Sequence, residues 1–202
     1  MLMPPYHGVG LRAGERGTIE HFSAVAEAAD VPLMVQDAPL SGVTLTVPFL
    51  VQLGREVPLV NYFKIEVPGA AQKLRALIEA GGAQVKGPFD GEEGITLMAD
   101  LEAGATGTMT SALMPDLIRP IVMDYLGGDR ERARRRYGQL LPLINFENRQ
   151  CGLRAAKSVM MAGGVIKSDF VRHPLEPLHD STRRQLLELA GEAQPLALKW
   201  GL

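Results

Sequence analysis

The sequence predicts an α/β fold built on a parallel sheet, and two observations lead to this class. In the first half of the chain, short apolar runs of strand length alternate with amphipathic segments of helix length, as in a parallel sheet covered by helices. Beyond residue 110 the alternation stops, and only helical patterns follow. We therefore expect a β/α region followed by a helical region.

Four apolar runs are predicted strands because each is short and bounded by turn-forming residues. They lie at residues 32–35, 60–65, 83–85 and 105–109. Residues 1–6 are predicted to hold the end of one more strand and its exit loop. The count is therefore five strands.

A predicted amphipathic helix precedes each of the four runs. Thr46 is a candidate N-cap with Pro48 in the first helical turn, and Gly81-Gly82 is a stop signal for the next helix. The four apolar stripes lie at residues 19–29, 50–53, 70–78 and 95–101. Further helices are predicted at residues 115–126, 130–144, 147–161 and 181–193, the last with Asp180 as its N-cap.

The strand count indicates part of a barrel. A closed (β/α)₈ barrel needs eight strands and about 250 residues, whereas this chain has 202 residues and five predicted strands. We expect residues 1–112 to form the C-terminal part of such a barrel, with its N-terminal strands missing. Residues 113–202 would add the final barrel helix and a helical extension packed on it in a single domain.

Composition excludes several classes of partner. With 46% hydrophobic residues and a net charge of −2, nothing favours binding to nucleic acid or to an anionic membrane, and no apolar run is long enough to span a bilayer. Cys151 is the one cysteine, so no disulfide framework or thiolate metal site is expected. The expectation is a cytoplasmic globular protein.

Lys64 is the residue that points most directly to chemistry, because it interrupts the apolar run at residues 59–65. Burial costs a lysine its hydration and favours the neutral amine, which can attack a carbonyl and form a Schiff base. The alternative is a lysine whose stem packs at a sheet edge while its ammonium group reaches water. The run alone leaves both interpretations open.

The wider sequence resembles the dihydrodipicolinate synthase / N-acetylneuraminate lyase family of Schiff-base barrels. In that family the lysine lies on the sixth strand, after a turn that matches Gln36-Asp37-Ala38-Pro39 here. Within the family, the similarity is strongest to members that dehydrate L-2-keto-3-deoxyarabonate. The stretches that carry it are residues 3–8, 34–39, 62–66, 87–93, 142–150 and 163–166.

The resemblance implies a fold, a reaction and an assembly. The five strands would be strands four to eight of the barrel. The protein would be a hydro-lyase that converts L-2-keto-3-deoxyarabonate to 2-oxoglutarate semialdehyde in L-arabinose catabolism. It would need no metal or organic cofactor, and it would assemble as a homo-oligomer, commonly a tetramer.

The resemblance also implies roles for particular residues. Lys64 would form the imine, while Glu66 is a candidate base and Tyr6 a candidate proton relay. Gln36 takes the position of the family's tyrosine and would contact substrate, since an amide cannot do acid–base work. Gly87 and Thr110, at the ends of the last two predicted strands, would line the substrate pocket.

Other interpretations stay open at this stage. The same imine could serve a retro-aldol cleavage that releases pyruvate, or the chain could be an inactive fragment with unpaired sheet edges. Glu66 could instead be a solvated loop carboxylate. Asp37 is predicted to cap its turn, and residues 90–93 to form a loop that leads into a helix.

Overall fold

The structure is a computed structural model that describes residues 1–8 and 10–201. The chain divides into two compact units. The first comprises Met1–Glu92 and Thr96–Met109, and the second comprises Glu93–Ile95 and Thr110–Leu202. The expectation of a single domain, with a partial barrel at residues 1–112 and a helical part at residues 113–202, stays a prediction.

The first unit is the predicted β/α region. Its helices are α1 (Glu15–Ala29), α2 (Val47–Glu56), α3 (Ala70–Gly81) and α4 (Leu97–Glu102), and its strands are β1 (Leu33–Asp37), β2 (Val60–Ile65), β3 (Lys86–Asp90) and β4 (Gly107–Thr108). Short 3₁₀ turns lie at Pro39–Ser41 and Gly82–Gln84. Helix and strand therefore alternate as predicted.

The four strands form one parallel sheet in the order β1-β2-β3-β4. Leu2 adds to the outer side of β1, where its N–H donates to Met34 O (2.8 Å) and its carbonyl accepts from Gln36 N–H (2.9 Å). Because all strands run in one direction, their carboxyl ends meet at one edge of the sheet, where enzymes of this architecture carry their functional groups.

The core of the first unit explains why these segments fold as they do. Apolar side chains from three helices and two strands are almost completely buried against one another: Phe22, Val35, Leu50, Leu53, Phe63, Ile65, Leu74 and Leu77. The predicted cap at α2 is present, since Thr46 Oγ1 accepts from Phe49 N–H (3.3 Å). Such a cap is worth about 1 kcal/mol.

One strand prediction is wrong. The predicted strand at residues 83–85 is largely a 3₁₀ turn, and β3 lies further along the chain at Lys86–Asp90. Gly87 and Pro88 disfavour a strand by propensity, but β2 and β4 supply the hydrogen bonds on both sides. The sheet context overrides the local preference.

The second unit is helical. Its helices are α5 (Pro115–Leu126), α6 (Arg130–Phe146), α7 (Arg154–Ala162), α8 (Asp180–Ala193) and α9 (Leu196–Lys199), with a π-helical turn at Glu147–Cys151. The predicted continuous helix at 147–161 is therefore wrong. Gly152 breaks it in a left-handed conformation (φ +59°) that favours glycine.

The N-cap of α8 is His179 rather than the predicted Asp180. The Nδ1 atom of His179 accepts a hydrogen bond from Ser181 N–H (3.2 Å).

None of the helices in the described part of the chain is long and apolar enough to cross a membrane.

Candidate active site

Lys64 lies next to the carboxyl end of β2 with only 5% of its surface exposed. Its neighbours Phe63 and Ile65 are also buried, so the whole end of the strand is enclosed. The interpretation of Lys64 as an edge lysine that reaches water is therefore excluded. A lysine in this setting needs a partner, because an unpaired buried charge is costly.

The partner is Glu66, which follows β2 directly. Its Oε2 lies 2.7 Å from Lys64 Nζ, and the same oxygen accepts a hydrogen bond from Gln36 Nε2 (2.8 Å). Gln36 reaches it because β1 and β2 pair in register with Gln36 opposite Lys64. The parallel sheet thus brings three of the predicted site residues into one hydrogen-bonded group.

This group can move a proton. Imine formation needs the neutral amine, and Glu66 is within hydrogen-bond reach of the lysine nitrogen, as a general base must be. Glu66 is partly open to solvent (24% of its side chain), whereas Lys64 is not. Buried ion pairs add little net stability, so the arrangement is more informative about chemistry than about folding.

Asp37, predicted to cap its turn, interacts with the backbone of Leu45 and with the side chain of a lysine in α3. Its side chain is 1% exposed and pairs with Lys73 of α3, with Nζ to Oδ2 at 2.6 Å. Lys73 Nζ also donates to Leu45 O (2.5 Å). Burial raises the pKa of Asp37, and the ammonium group of Lys73 opposes this rise.

A second polar cluster at the same edge of the sheet was not found from the sequence. Asp90 ends β3 and is fully buried, and it accepts from Thr108 Oγ1 (2.5 Å) and Glu92 N–H (2.9 Å). Asp100 of α4 is also fully buried and accepts from Thr96 Oγ1 (2.6 Å). Burial, together with the charge of Asp90, raises the pKa of Asp100 to about 6. The expected loop at 90–93 therefore begins with a structural carboxylate.

Two predicted site residues of the first unit, Tyr6 and Gly87, do not join the group around Lys64. Tyr6 is 60% exposed and pairs through its backbone with Arg12. Gly87 is the second residue of β3, near the amino end of the strand, so the prediction that it lies at the strand's carboxyl end is wrong. Thr110 belongs to the second unit, and its Oγ1 is buried without a hydrogen-bond partner among the described residues.

The second unit has a buried carboxyl group of its own. Glu147 is 3% exposed and accepts a hydrogen bond from Ser111 Oγ. Burial, with the nearby charge of Glu93, raises the pKa of Glu147 to about 7. Cys151 is 1% exposed, and burial raises the pKa of its thiol to about 11, which disfavours the reactive thiolate.

A parallel β/α sheet with a lysine and a carboxylate at the carboxyl ends of its strands is the arrangement in which (β/α)₈ barrels carry their active sites. Within that class, the profile of the dihydrodipicolinate synthetase family matches residues 1–193. The chain belongs to this family.

Three proteins of known name show how similar the chain is to individual relatives. L-2-keto-3-deoxyarabonate dehydratase from Azospirillum brasilense is 52% identical over 99% of this chain and 65% of its own length. The crystal structure of dihydrodipicolinate synthase from Rhodopseudomonas palustris is 27% identical with a TM-score of 0.80, over 94% of this chain and 64% of that one. The synthase from Aquifex aeolicus, at 21% identity, shares the fold with a TM-score of 0.84, over 96% and 64%. The chain thus spans just under two thirds of these relatives.

Proposed function

We propose that this chain carries the active site of a Schiff-base-forming hydro-lyase that converts L-2-keto-3-deoxyarabonate to 2-oxoglutarate semialdehyde. The observation that carries the proposal is the buried Lys64, whose Nζ lies 2.7 Å from Glu66 Oε2. The 52% identity to an L-2-keto-3-deoxyarabonate dehydratase supports the choice of reaction and substrate.

The first step is imine formation. Lys64 passes a proton to Glu66, attacks C2 of the keto acid and releases the keto oxygen as water. The protonated imine then acts as an electron sink that makes the C3 hydrogens acidic. Neither imine formation nor the activation of the C3 hydrogens requires a metal ion.

The second step is elimination. A base removes a C3 proton to give an enamine, which expels the C4 hydroxyl group as water. Loss of a C5 proton and return of a proton to C3 leave an enol at C4–C5. The enol tautomerises to the aldehyde, and hydrolysis of the imine releases the semialdehyde and frees Lys64.

Glu66 is our proposed base and Gln36 the proposed substrate contact. Glu66 is the carboxylate in contact with Lys64, and its Oε2 also accepts a hydrogen bond from Gln36 Nε2. An amide at this position can bind a hydroxyl or carboxylate group but cannot relay protons, which favours dehydration over aldol chemistry. Tyr6 remains a proposed proton relay, and Thr110 remains a proposed substrate contact. The place of Gly87 near the amino end of β3 argues against such a role for it.

We infer that Leu2 and strands β1 to β4 correspond to strands four to eight of a closed eight-stranded barrel. The cytoplasmic location, the homo-oligomeric assembly and the place in L-arabinose catabolism stay predictions that accompany this proposal.

Product analysis tests the reaction. The chain is incubated with L-2-keto-3-deoxyarabonate, and the products are identified by mass spectrometry. We expect 2-oxoglutarate semialdehyde, and we expect none from the variant Lys64→Arg. If the products are pyruvate and a two-carbon aldehyde instead, the reaction is a retro-aldol cleavage and the proposed dehydration is wrong. No product at all would favour the interpretation of the chain as an inactive fragment.

A further inference from the structure

The Asp37–Lys73 ion pair joins three segments of the first unit. Asp37 is the last residue of β1, Lys73 lies in the second turn of α3, and Leu45 precedes α2. Lys73 Nζ lies 2.6 Å from Asp37 Oδ2 and donates to Leu45 O at 2.5 Å. One ammonium group therefore links the carboxyl end of β1 to α3 and to the loop that precedes α2.

The end of β1 also holds Glu66 in two ways. The backbone carbonyl of Asp37 accepts a hydrogen bond from Glu66 N–H (2.9 Å). The side chain of Gln36, one residue earlier, donates to Glu66 Oε2 (2.8 Å). The position of Asp37 thus sets the backbone of Glu66 directly and its carboxylate through Gln36.

The pair cannot be explained as a solvated surface contact. The Asp37 side chain is 1% exposed and that of Lys73 is 16% exposed. Removing one partner of such a pair leaves an uncompensated buried charge, which must move or take up a proton. A change at Lys73 is therefore transmitted to the end of β1.

We propose that Lys73 and Asp37 are positioning residues that hold Glu66 and Gln36 in register with Lys64. This inference rests on the proposed function for its kinetic consequence, but its structural consequence can be measured without activity. A misplacement of about 1 Å in a reacting group can cost about 100-fold in rate. We expect Lys73→Met to lower kcat by about 10- to 100-fold while KM changes much less.

The test combines kinetics with a direct probe of Gln36. The variants are Lys73→Met, Asp37→Asn and the double variant, which carries no buried unpaired charge. Arg75→Met is the matched control, because Arg75 is an exposed cation in the same helix. The kinetic parameters are measured with L-2-keto-3-deoxyarabonate, and the side-chain amide of Gln36 is followed by ¹⁵N NMR in the folded protein.

The expected result is a fall in kcat with shifted or broadened Gln36 amide signals in the Lys73 and Asp37 variants, and neither change in Arg75→Met. Lys73→Arg, which keeps the charge, should recover part of kcat. Unchanged kcat and unchanged Gln36 signals in Lys73→Met would overturn the positioning role, as would full recovery of kcat in the double variant.

The two proposals fail in different ways. If the unmodified chain forms no product but Lys73→Met still shifts the Gln36 signals, the proposed function falls and the positioning role stands. If Lys73→Met does not fold, the double variant supplies both readouts, since neutral replacement of a buried pair is often tolerated.

Discussion

Glu66 Oε2 lies 2.7 Å from Lys64 Nζ. The two residues flank Ile65, the last residue of β2. Side chains at positions i and i+2 of a strand share a face, so the contact follows from the extended backbone. It places a Glu66 carboxylate oxygen within hydrogen-bonding distance of the lysine nitrogen.

The variant Glu66→Gln tests whether this carboxylate takes part in imine formation without disturbing the fold. We expect Glu66→Gln to keep the fold and to lower the rate of imine formation by about 100-fold or more, because general base catalysis is lost. The rate is measured by borohydride quenching at timed intervals. Glu79→Gln is the control, since Glu79 is exposed on α3. A Glu66→Gln rate within twofold of the unmodified chain would remove Glu66 from the mechanism.

Gly91 tests how tightly the strand ends are packed. A Cβ atom at Gly91 would lie 2.7 Å from Ile65 O and 2.8 Å from Glu66 Cβ, closer than real contacts allow. We expect Gly91→Ala to displace Glu66, to slow imine formation and to destabilise the protein by about 1–3 kcal/mol. Urea unfolding and timed trapping measure the two effects.

The control for Gly91→Ala is a glycine whose Cβ position has free space around it. Gly17 of α1 has nothing within 4 Å of its Cβ position, so Gly17→Ala should stabilise the chain by about 0.5–1 kcal/mol. If Gly91→Ala behaves in the same way as Gly17→Ala, the close approach to Glu66 is not a constraint on the site.

Asp100 predicts a particular dependence of stability on pH. Its pKa is raised to about 6 in the folded state, against about 3.9 in an unfolded chain. Between these values the folded state binds the extra proton, so the free energy of unfolding falls as pH rises from about 4 to 6, by roughly 3 kcal/mol at most. Asp100→Asn should lose this slope in urea unfolding at pH 4 to 8. An unchanged slope would show that Asp100 titrates normally.

Glu147 makes a similar prediction for the second unit. Its pKa is raised to about 7, so its contribution to stability is complete below about pH 4 and declines as pH rises to 7. We expect Glu147→Gln to be more stable than the unmodified chain at pH 8, with little difference at pH 4. Glu192→Gln, at an exposed position of α8, should show neither effect. A loss of stability at pH 8 in Glu147→Gln would contradict the raised pKa.

Much of the fold could be predicted because its signals are local. The boundaries of β2 and α5 match the prediction residue for residue, since an apolar run and a helical stripe each end at turn-forming residues. β3 could not be located because Pro88 lacks an N–H group and Gly87 favours turns. Its place in the sheet depends on partners distant in sequence, as in the hydrogen bond from Thr106 N–H to Pro88 O (2.8 Å).

The residues of the candidate site also differ in whether a local sequence signal reveals them. Lys64 could be found as a charge in an apolar run, and Gln36 and Glu66 follow from a motif and a two-residue spacing. Lys73 has no such signal, because its partner Asp37 is 36 residues away and the contact exists only once α3 packs on the sheet. The number of residues between Asp90 and Asp100 likewise gives no sign that both carboxyl groups are buried.

The most direct test of the account is trapping of the imine. The chain is incubated with L-2-keto-3-deoxyarabonate or pyruvate, reduced with borohydride, and mapped by peptide mass spectrometry. We predict a stable adduct on Lys64 that is lost in Lys64→Arg and kept in Lys86→Arg, which changes an exposed lysine of the neighbouring strand. An adduct that persists in Lys64→Arg, or the absence of any adduct on Lys64, would contradict the Schiff-base mechanism.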